Sequence, residues 1–200
     1  MSKRIVLTGG PGGGKTTLIR ELAEDPTWRG RFLALPEAIF VAGRVGISTR
    51  EQRFQRLMVE TQRALEDALT RTLERDDPRI VLCHRGTLDP LAYWLDRGWP
   101  ADAFFAFTKT DRAEHYRRYA AVIHLVTAAD GAETYYRRWP ETHRPESVEQ
   151  AVRLDQLLRE VWGDHPNYYR LDNTGRDWAA KSREARRLLA SVIKGRELGT

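Results

Sequence analysis

Apolar residues along this chain fall into two rhythms. Short runs of consecutive apolar positions read as strands buried on both faces. Longer stretches with apolar positions three and four apart read as helices with one buried stripe. The first strand is predicted over Lys3 to Thr8, with Ile5, Val6 and Leu7 in succession. A helix follows from Lys15, carrying Leu18, Ile19, Leu22 and Ala23. Phe32 to Leu35 is the second strand, ended by Pro36-Glu37, and the segment Ala38 to Ile47 is mixed and holds two glycines. A long helix is predicted over Arg50 to Glu74. Ser48-Thr49-Arg50-Glu51 has the capping-box form at its start. Phe54, Leu57, Met58, Thr61, Leu65, Ala68 and Leu69 make the stripe expected to face the core, with Gln55 and Gln62 on its flank.

Asp76-Asp77-Pro78 ends that helix, and Arg79 to His84 is the third strand. Asp89 to Leu95 reads as a short helix, and Ala101 to Tyr119 as helix in two pieces. Ala121 to Val126 is the fourth strand. Asp130 to Arg144 is polar, aromatic and rich in arginine. Ser147-Val148-Glu149-Gln150 is a second capping box, opening a helix with Val148, Ala151, Val152, Leu158 and Val161 on one face and a stop at Gly163. Tyr168 to Leu171 is the fifth strand. A last amphipathic helix, Asp177 to Lys194, carries Trp178, Ala185, Leu188, Leu189, Val192 and Ile193. Strands alternating with helices imply an α/β fold: a mostly parallel five-stranded sheet with helices on both faces, in three layers. No repeat or linker divides the chain, so residues 1–200 are expected to form a single domain, with a lid over about 129–150. In such sheets ligands bind past the carboxyl ends of the strands. Glu37, His84-Arg85-Gly86, Thr127 and Asp172-Asn173 are therefore the positions to inspect.

Composition narrows the class without changing the fold. Hydrophobic residues are 41% and charged residues 30%, as expected of a water-soluble globular domain. The net charge of +5 is mostly arginine. It suits either nucleic acid or an enzyme that grips polyanionic nucleotides. No dense basic run with interleaved aromatics is present, which argues against nucleic acid. The single cysteine, Cys83, excludes an internal disulfide and sits in an apolar run, as an inert core thiol would. Met1-Ser2-Lys3-Arg4 leads straight into the first strand, so no signal peptide is expected. No apolar run reaches membrane-spanning length, and a cytoplasmic location follows as the expectation.

The chemistry concentrates in Gly9-Gly10-Pro11-Gly12-Gly13-Gly14-Lys15-Thr16. The pattern is glycine, four residues, then Gly-Lys-Thr, and it lies between a strand and a helix. Glycines let backbone N–H groups curl toward phosphate oxygens. The lysine reaches the β- and γ-phosphates, and the threonine hydroxyl binds Mg²⁺. The helix that follows adds its positive N-terminal end. A nucleotide with Mg²⁺ is therefore expected, and the resemblance described below implies that it is ATP. Gly10, Pro11, Gly12, Gly13, Gly14, Lys15, Thr16 and Thr17 are the expected nucleotide contacts, and Thr16 the metal ligand.

Four features occur in order: this loop, Pro36-Glu37, Arg85-Gly86-Thr87-Leu88-Asp89-Pro90-Leu91-Ala92-Tyr93, and the arginine-rich segment followed by the fifth strand and Asn173. Together they resemble the small P-loop kinases, a group that includes nucleoside and nucleotide monophosphate kinases. They are similar in particular to AAA-labelled bacterial ATP-binding proteins related to the nicotinamide-riboside kinase domain of the bacterial NAD regulator. The resemblance spans nearly the whole chain and implies the three-layer P-loop fold with an arginine-rich lid. It implies that Glu37 accepts or orients the proton of a substrate hydroxyl; the alternative is an acid opening a helix. Arg85 would grip a phosphate or substrate oxygen, or else pair with Asp89. Asp89 would sit in the substrate cleft, and its place before Pro90 also suits an N-cap. Arg137, Arg138 and Arg144, with His143 and Arg153, would form a lid that meets the γ-phosphate as it moves; an exposed basic loop is the alternative. Asn173 would contact adenine, or serve the turn Asp172-Asn173-Thr174-Gly175. Gln55 and Gln62 could read an amide or base edge, or be solvated.

One position departs from the resemblance. Where the group carries an acid before Arg85-Gly86, this chain has His84, and Mg²⁺ prefers oxygen. Glu37 or Asp89 would have to supply the carboxylate, or the protein binds nucleotide with weakened catalysis. Thr108-Lys109-Thr110-Asp111 imitates a guanine-reading motif but precedes a strand rather than following one, so GTP specificity is not expected. The leading function is transfer of the γ-phosphoryl of ATP to a hydroxyl of a small polar, nucleoside-like metabolite, with that acceptor as partner. The alternatives are a nucleotide-switch ATPase acting on a protein, or a nucleic-acid end kinase.

Overall fold

The computed structural model describes residues 3–74, 77–136, 146–175 and 177–194. Strand β1 (Arg4–Thr8) leads through the glycine loop into α1 (Lys15–Glu24), and β2 (Phe32–Leu35) into the short α2 (Ile39–Ala42). The long α3 (Gln52–Thr72) precedes β3 (Ile80–His84). Three short helices follow: α4 (Asp89–Asp96), α5 (Ala101–Thr108) and α6 (Arg112–Arg117). Then come β4 (Ala121–Leu125), α7 (Val148–Trp162), β5 (Tyr168–Leu171) and α8 (Trp178–Lys194). The five strands are parallel throughout, in the order β2-β3-β1-β4-β5. The chain leaves β1 toward one edge and returns to its other side for β4. The loops after β1, β3 and β4 therefore meet where a crevice must open.

Strand alternation divides the core in two. Ile5, Leu7, Leu82, Ile123 and Leu125 point to the face covered by Leu18 and Leu22 of α1 and Ala185, Leu188 and Leu189 of α8. Val6, Val81, Cys83 and Val122 point to the opposite face, with Val59, Leu91, Trp94, Phe104, Leu158 and Trp162. Burial pushes the Cys83 thiol well above its usual range, which keeps it inert.

The long helix corrects the expected stripe. Its buried residues are Phe54, Gln55, Val59, Gln62 and Glu66, while Ala68 is exposed and Leu57, Met58, Thr61, Leu65 and Leu69 are half-buried. The buried face is thus rotated onto the polar flank. The reason is a set of partners on other elements that periodicity cannot register. Glu66, fully buried, accepts from Gln62 Nε2 at 3.0 Å and from the Tyr119 hydroxyl at 2.7 Å through one oxygen. Its other oxygen accepts two bonds from Arg118 at 3.0 Å and lies 3.6 Å from Arg4. The first capping box also differs. The Ser48 N–H donates to Glu51 Oε1 and the Ser48 hydroxyl accepts from the Arg50 N–H, closing a turn, and the helix begins after Glu51. The second box forms as expected, Ser147 and Gln150 capping each other reciprocally.

Glu66 neutralises two arginines that burial would otherwise leave costly. Glu66→Ala is expected to destabilise the fold by about 3–5 kcal/mol. Urea unfolding would check this, and a loss under about 1 kcal/mol would show that water reaches the cluster.

Candidate phosphoryl-transfer site

The glycine loop is shaped by close approach to the end of β4. Gly9 has φ +120°, and a Cβ there would lie 2.0 Å from the Leu125 carbonyl oxygen; at Gly13 the gap would be 2.3 Å. Only glycine fits these two places. Asp155 on α7 fastens the loop from the side. Its Oδ1 accepts from Gly10 N–H at 2.7 Å and from Thr127 N–H at 2.9 Å, and its Oδ2 lies 3.0 Å from His124 Nε2. Thr127 donates its hydroxyl to the Pro11 carbonyl. Lys15, 5% exposed, folds back and donates to the carbonyls of Gly9 at 2.7 Å and Gly10 at 3.0 Å. Burial, then the nearby Arg85 charge, lowers its ammonium to about 7, against the pull of Glu37, Asp89 and Asp155. The lysine is thus stored against the loop, in want of an anion.

Past the ends of β2 and β3, four side chains form a chain of contacts that starts at Thr16. Its hydroxyl is 3.0 Å from His84 Nε2. His84 Nδ1 lies 2.9 Å from Glu37 Oε1, close but without the geometry of a straight hydrogen bond. Burial lowers the His84 pKa more than Glu37 raises it, so the ring is neutral. A neutral ring beside an ionised carboxylate carries its proton on Nδ1, which leaves Nε2 to accept from Thr16. Arg85 Nε donates to the same Glu37 oxygen at 2.8 Å. Burial alone would raise the Glu37 carboxyl, but Arg85 and His84 outweigh it and hold it well below the usual carboxylate range. Among the described residues Glu37 Oε2 makes no hydrogen bond, so one oxygen of a permanently ionised carboxylate is left for a ligand.

Arg85 itself has φ +74°, a strained conformation for a side chain of its size. Gln62 Nε2 donates to its carbonyl at 3.2 Å, which ties the strained turn to Glu66 in the core. Its guanidinium donates to Asp89 Oδ2 at 3.2 Å and lies over the Tyr93 ring, 5.4 Å from the centroid. Asp89 is fully engaged. It accepts from Thr8, Gly86 N–H, Trp162 Nε1 and Arg85, and so anchors the crevice rather than lining it.

Several expected residues fall elsewhere. The Asn173 amide is bound up in the loop after β4, donating to the carbonyls of Thr127 and Asp130 and accepting from Lys181, so only its backbone is left for a base. Gln62 is structural, and the Gln55 amide reaches only Thr49 O at 3.5 Å. Arg153 points outward to Asp96 at 2.7 Å and is mostly exposed. Arg137, Arg138, His143 and Arg144 lie outside the described residues. The Thr108–Asp111 tetrapeptide joins two helices: Thr108 donates back to Phe104 O, and Asp111 caps α6. Asp155 and His124 are functional positions the sequence does not mark: each is a polar residue inside a helical or strand pattern.

A family model described as an AAA domain matches residues 4–180. The chain belongs to that AAA-domain family. Among solved structures, this AAA-domain chain shares its fold with deoxyadenosine kinase from M. mycoides with bound dATP, at 13% identity and TM-score 0.58, over 94% of this chain and 100% of that one. The same kinase with dCMP and a flexible dCDP bound matches at 14% identity and TM-score 0.57, over 94% and 99%. NadR protein in complex with NAD and AMP-PNP matches at 18% identity and TM-score 0.63, over all of this chain but 51% of that one. No curated protein sequence matches. The AAA-domain chain thus has the P-loop NTPase fold, with the glycine loop at its usual place after β1.

The stored lysine has a measurable consequence. Its pKa is about 7 in the fold against 10.5 as its ordinary value, so free-protein stability from this group rises with pH between the two. Phosphates restore the charge. Near pH 8, ATP binding is expected to take up about one proton, read by calorimetry in buffers of different ionisation enthalpy. Binding with no uptake at that pH would contradict the buried, uncharged lysine.

Proposed function

We propose that this protein transfers the γ-phosphoryl of ATP to a hydroxyl of a small polar metabolite. The observation that carries the reading is the free oxygen of Glu37, held on a carboxylate that Arg85 and His84 keep ionised and link to the loop's own Thr16. A binding module needs the loop alone. A transferase also needs a fixed group that orients the nucleophile's hydroxyl toward the γ-phosphate. In the proposed reaction the acceptor hydroxyl oxygen attacks the γ-phosphorus in line. The bond to the β–γ bridging oxygen breaks, ADP leaves, and the hydroxyl proton passes toward Glu37 Oε2 or water. So strongly ionised a carboxylate is a weak base, and its work is to orient the hydroxyl. That suits a loose transition state, in which little proton transfer is needed before the phosphoryl moves. Lys15 leaves the Gly9 and Gly10 carbonyls for the phosphates, and Arg85 supplies fixed positive charge behind Glu37. Arg137, Arg138 and Arg144 are assigned to the lid by the sequence pattern.

The donor set suits Mg²⁺. Among the described residues no group of three or more metal-binding side chains forms, and a nucleotide-bound Mg²⁺ asks for none, since it keeps waters and takes phosphate oxygens. Because His84 Nε2 takes the Thr16 proton, the hydroxyl oxygen keeps its lone pairs for the ion. Glu37 is the one carboxylate of the two weighed that has an oxygen to spare, and that oxygen is assigned to the acceptor hydroxyl, so the ion would rest on Thr16, the phosphates and water. The ion would neutralise charge on the phosphates.

A second reading has one observation in its favour. Phe40 and Val41 on α2 and Val45 beyond it are each more than half exposed, beside a hollow of about 210 Å³ bounded by Thr16, Ile19, Leu35, Glu37 and His84. An apolar patch next to a nucleotide site suits a switch that recruits a protein. Incubation with γ-labelled ATP and a metabolite panel separates the two. A kinase gives labelled metabolite, and Glu37→Gln lowers its kcat by about 10²-fold or more with ATP affinity kept. Labelled phosphate with no labelled metabolite would leave the switch. Unchanged ATP affinity in Lys15→Ala would remove both.

A further inference from the structure

The end of the sheet away from the glycine loop carries a cavity that the nucleotide chemistry does not use. The loop follows the last residue of β1, whereas this hollow opens at the first residue, Arg4, and beside the α6–β4 turn. It holds about 490 Å³, and its charged walls are Lys3, Arg4, Asp67, Glu114, Arg117 and Arg118.

Two of its cations are held in place. Arg4 and Arg118 expose only 14% and 13% of their side chains, and acids of α3 grip both. Arg118 gives Nε and Nη2 to Glu66 at 3.0 Å, and Nη2 also to Asp67 at 2.7 Å. Arg4 gives Nη2 to Asp67 at 3.2 Å and Nε to the Thr70 hydroxyl at 3.1 Å. Nη1 is left over on each. Neither Nη1 makes a hydrogen bond among the described residues, and neither is shut off from solvent. Guanidiniums fixed by carboxylates on one side offer their remaining N–H groups in a set direction, as phosphate recognition requires. The other two cations stand at the rim and are exposed. Lys3 donates to the Val192 carbonyl at 2.8 Å, which takes a hydrogen bond but brings no full charge. Arg117 has no hydrogen bond or ion pair among the described residues.

The acids nearby do not balance these charges. Asp67 is shared by Arg4 and Arg118, Glu66 lies against the same pair, and Glu114 pairs with Arg63 at 2.7 Å. Against Glu66, Asp67 and Glu114 stand Lys3, Arg4, Arg63, Arg117 and Arg118, so this group keeps two positive charges in excess. Cations that converge on one recess repel each other, and an anion seated among them relieves that repulsion. A dianion matches the excess. The volume is larger than a phosphate group needs and leaves room for a small organic part. We propose that this hollow binds a small metabolite through a phosphate monoester, set against Nη1 of Arg4 and Arg118 with Lys3 and Arg117 at the rim. The site is separate from the glycine loop and does not depend on the kinase reading.

Ribose 5-phosphate is the probe, ribose its uncharged control, and calorimetric titration at low salt the readout. Lys15→Ala is the background, because it weakens the loop as a competing anion site. The ester is expected to bind with a Kd of about 1 mM or tighter, and ribose not to bind. Arg117→Glu and Lys3→Glu are each expected to weaken the ester about fivefold or more. Both side chains are exposed, so the Tm of each variant is expected to stay near that of its parent. Arg117→Gln repeats the measurement with the charge removed rather than reversed, and a smaller weakening is expected. No binding of the ester at about 10 mM, or equal binding of ribose, would overturn the inference. So would a Kd that the Lys3 and Arg117 variants leave unmoved, since the ester would then sit elsewhere, the glycine loop included.

Discussion

The approach of the glycine loop to the Leu125 carbonyl is the constraint on which the rest of the site depends. With Gly9 and Gly13 seated against the end of β4, the loop can turn only inward. Asp155 then holds it from α7 through Gly10 and Thr127, with His124 behind the carboxylate. β4, α7 and the loop are thereby locked as one unit. The price of that lock is a buried carboxylate and a buried histidine, and each satisfies the other. The loop's lysine is stored on its carbonyls rather than in solvent, so the anion site is formed before any nucleotide arrives and its charge is completed when phosphates restore the proton on Lys15.

The other half of the crevice is organised by Arg85. Its backbone is strained, and the strain persists because the core holds it: Glu66 is saturated by Arg118, Tyr119 and Gln62, and Gln62 passes the hold to the Arg85 carbonyl. Asp89, bound by four donors, fixes the guanidinium from the front. The result is a cation that cannot swing, with Glu37 against it. This explains how a glutamate with most of its surface covered stays ionised. It also explains why so much of the buried face of α3 is polar. That helix does not only cover the sheet; it carries the support for the strained turn.

His84 looked like a fault in the pattern, a nitrogen base where an oxygen ligand belonged. In the structure it bridges Thr16 and Glu37. A neutral imidazole can accept from one and approach the other with its N–H, which an aspartate at that place could not do without repelling Glu37. In this chain His84 is thus matched to the acid at the end of β2. The two positions are understood as a pair.

The alternation of apolar runs and helical stripes, by itself, determined the five parallel strands and the helices between them. These follow from local period and from the rule that a strand buried on both faces needs helices above and below. It also determined the phosphate loop, because that chemistry is contiguous: the glycines, Lys15 and Thr16 act where they stand in the chain. The missed or misread residues share one cause. Gln62 and Glu66 sit on the polar side of a helical stripe and are buried only because Arg4, Arg118 and Tyr119 come to meet them from β1 and the α6–β4 turn. Asp155 lies on α7 with no local mark, and acquires meaning from the loop, its partner Gly10 being 145 residues away. Which acid has an oxygen to spare, Glu37 or Asp89, was decided by donors from four separate elements. Pairing of buried charge is set by distance in space, and only the tertiary structure supplies that.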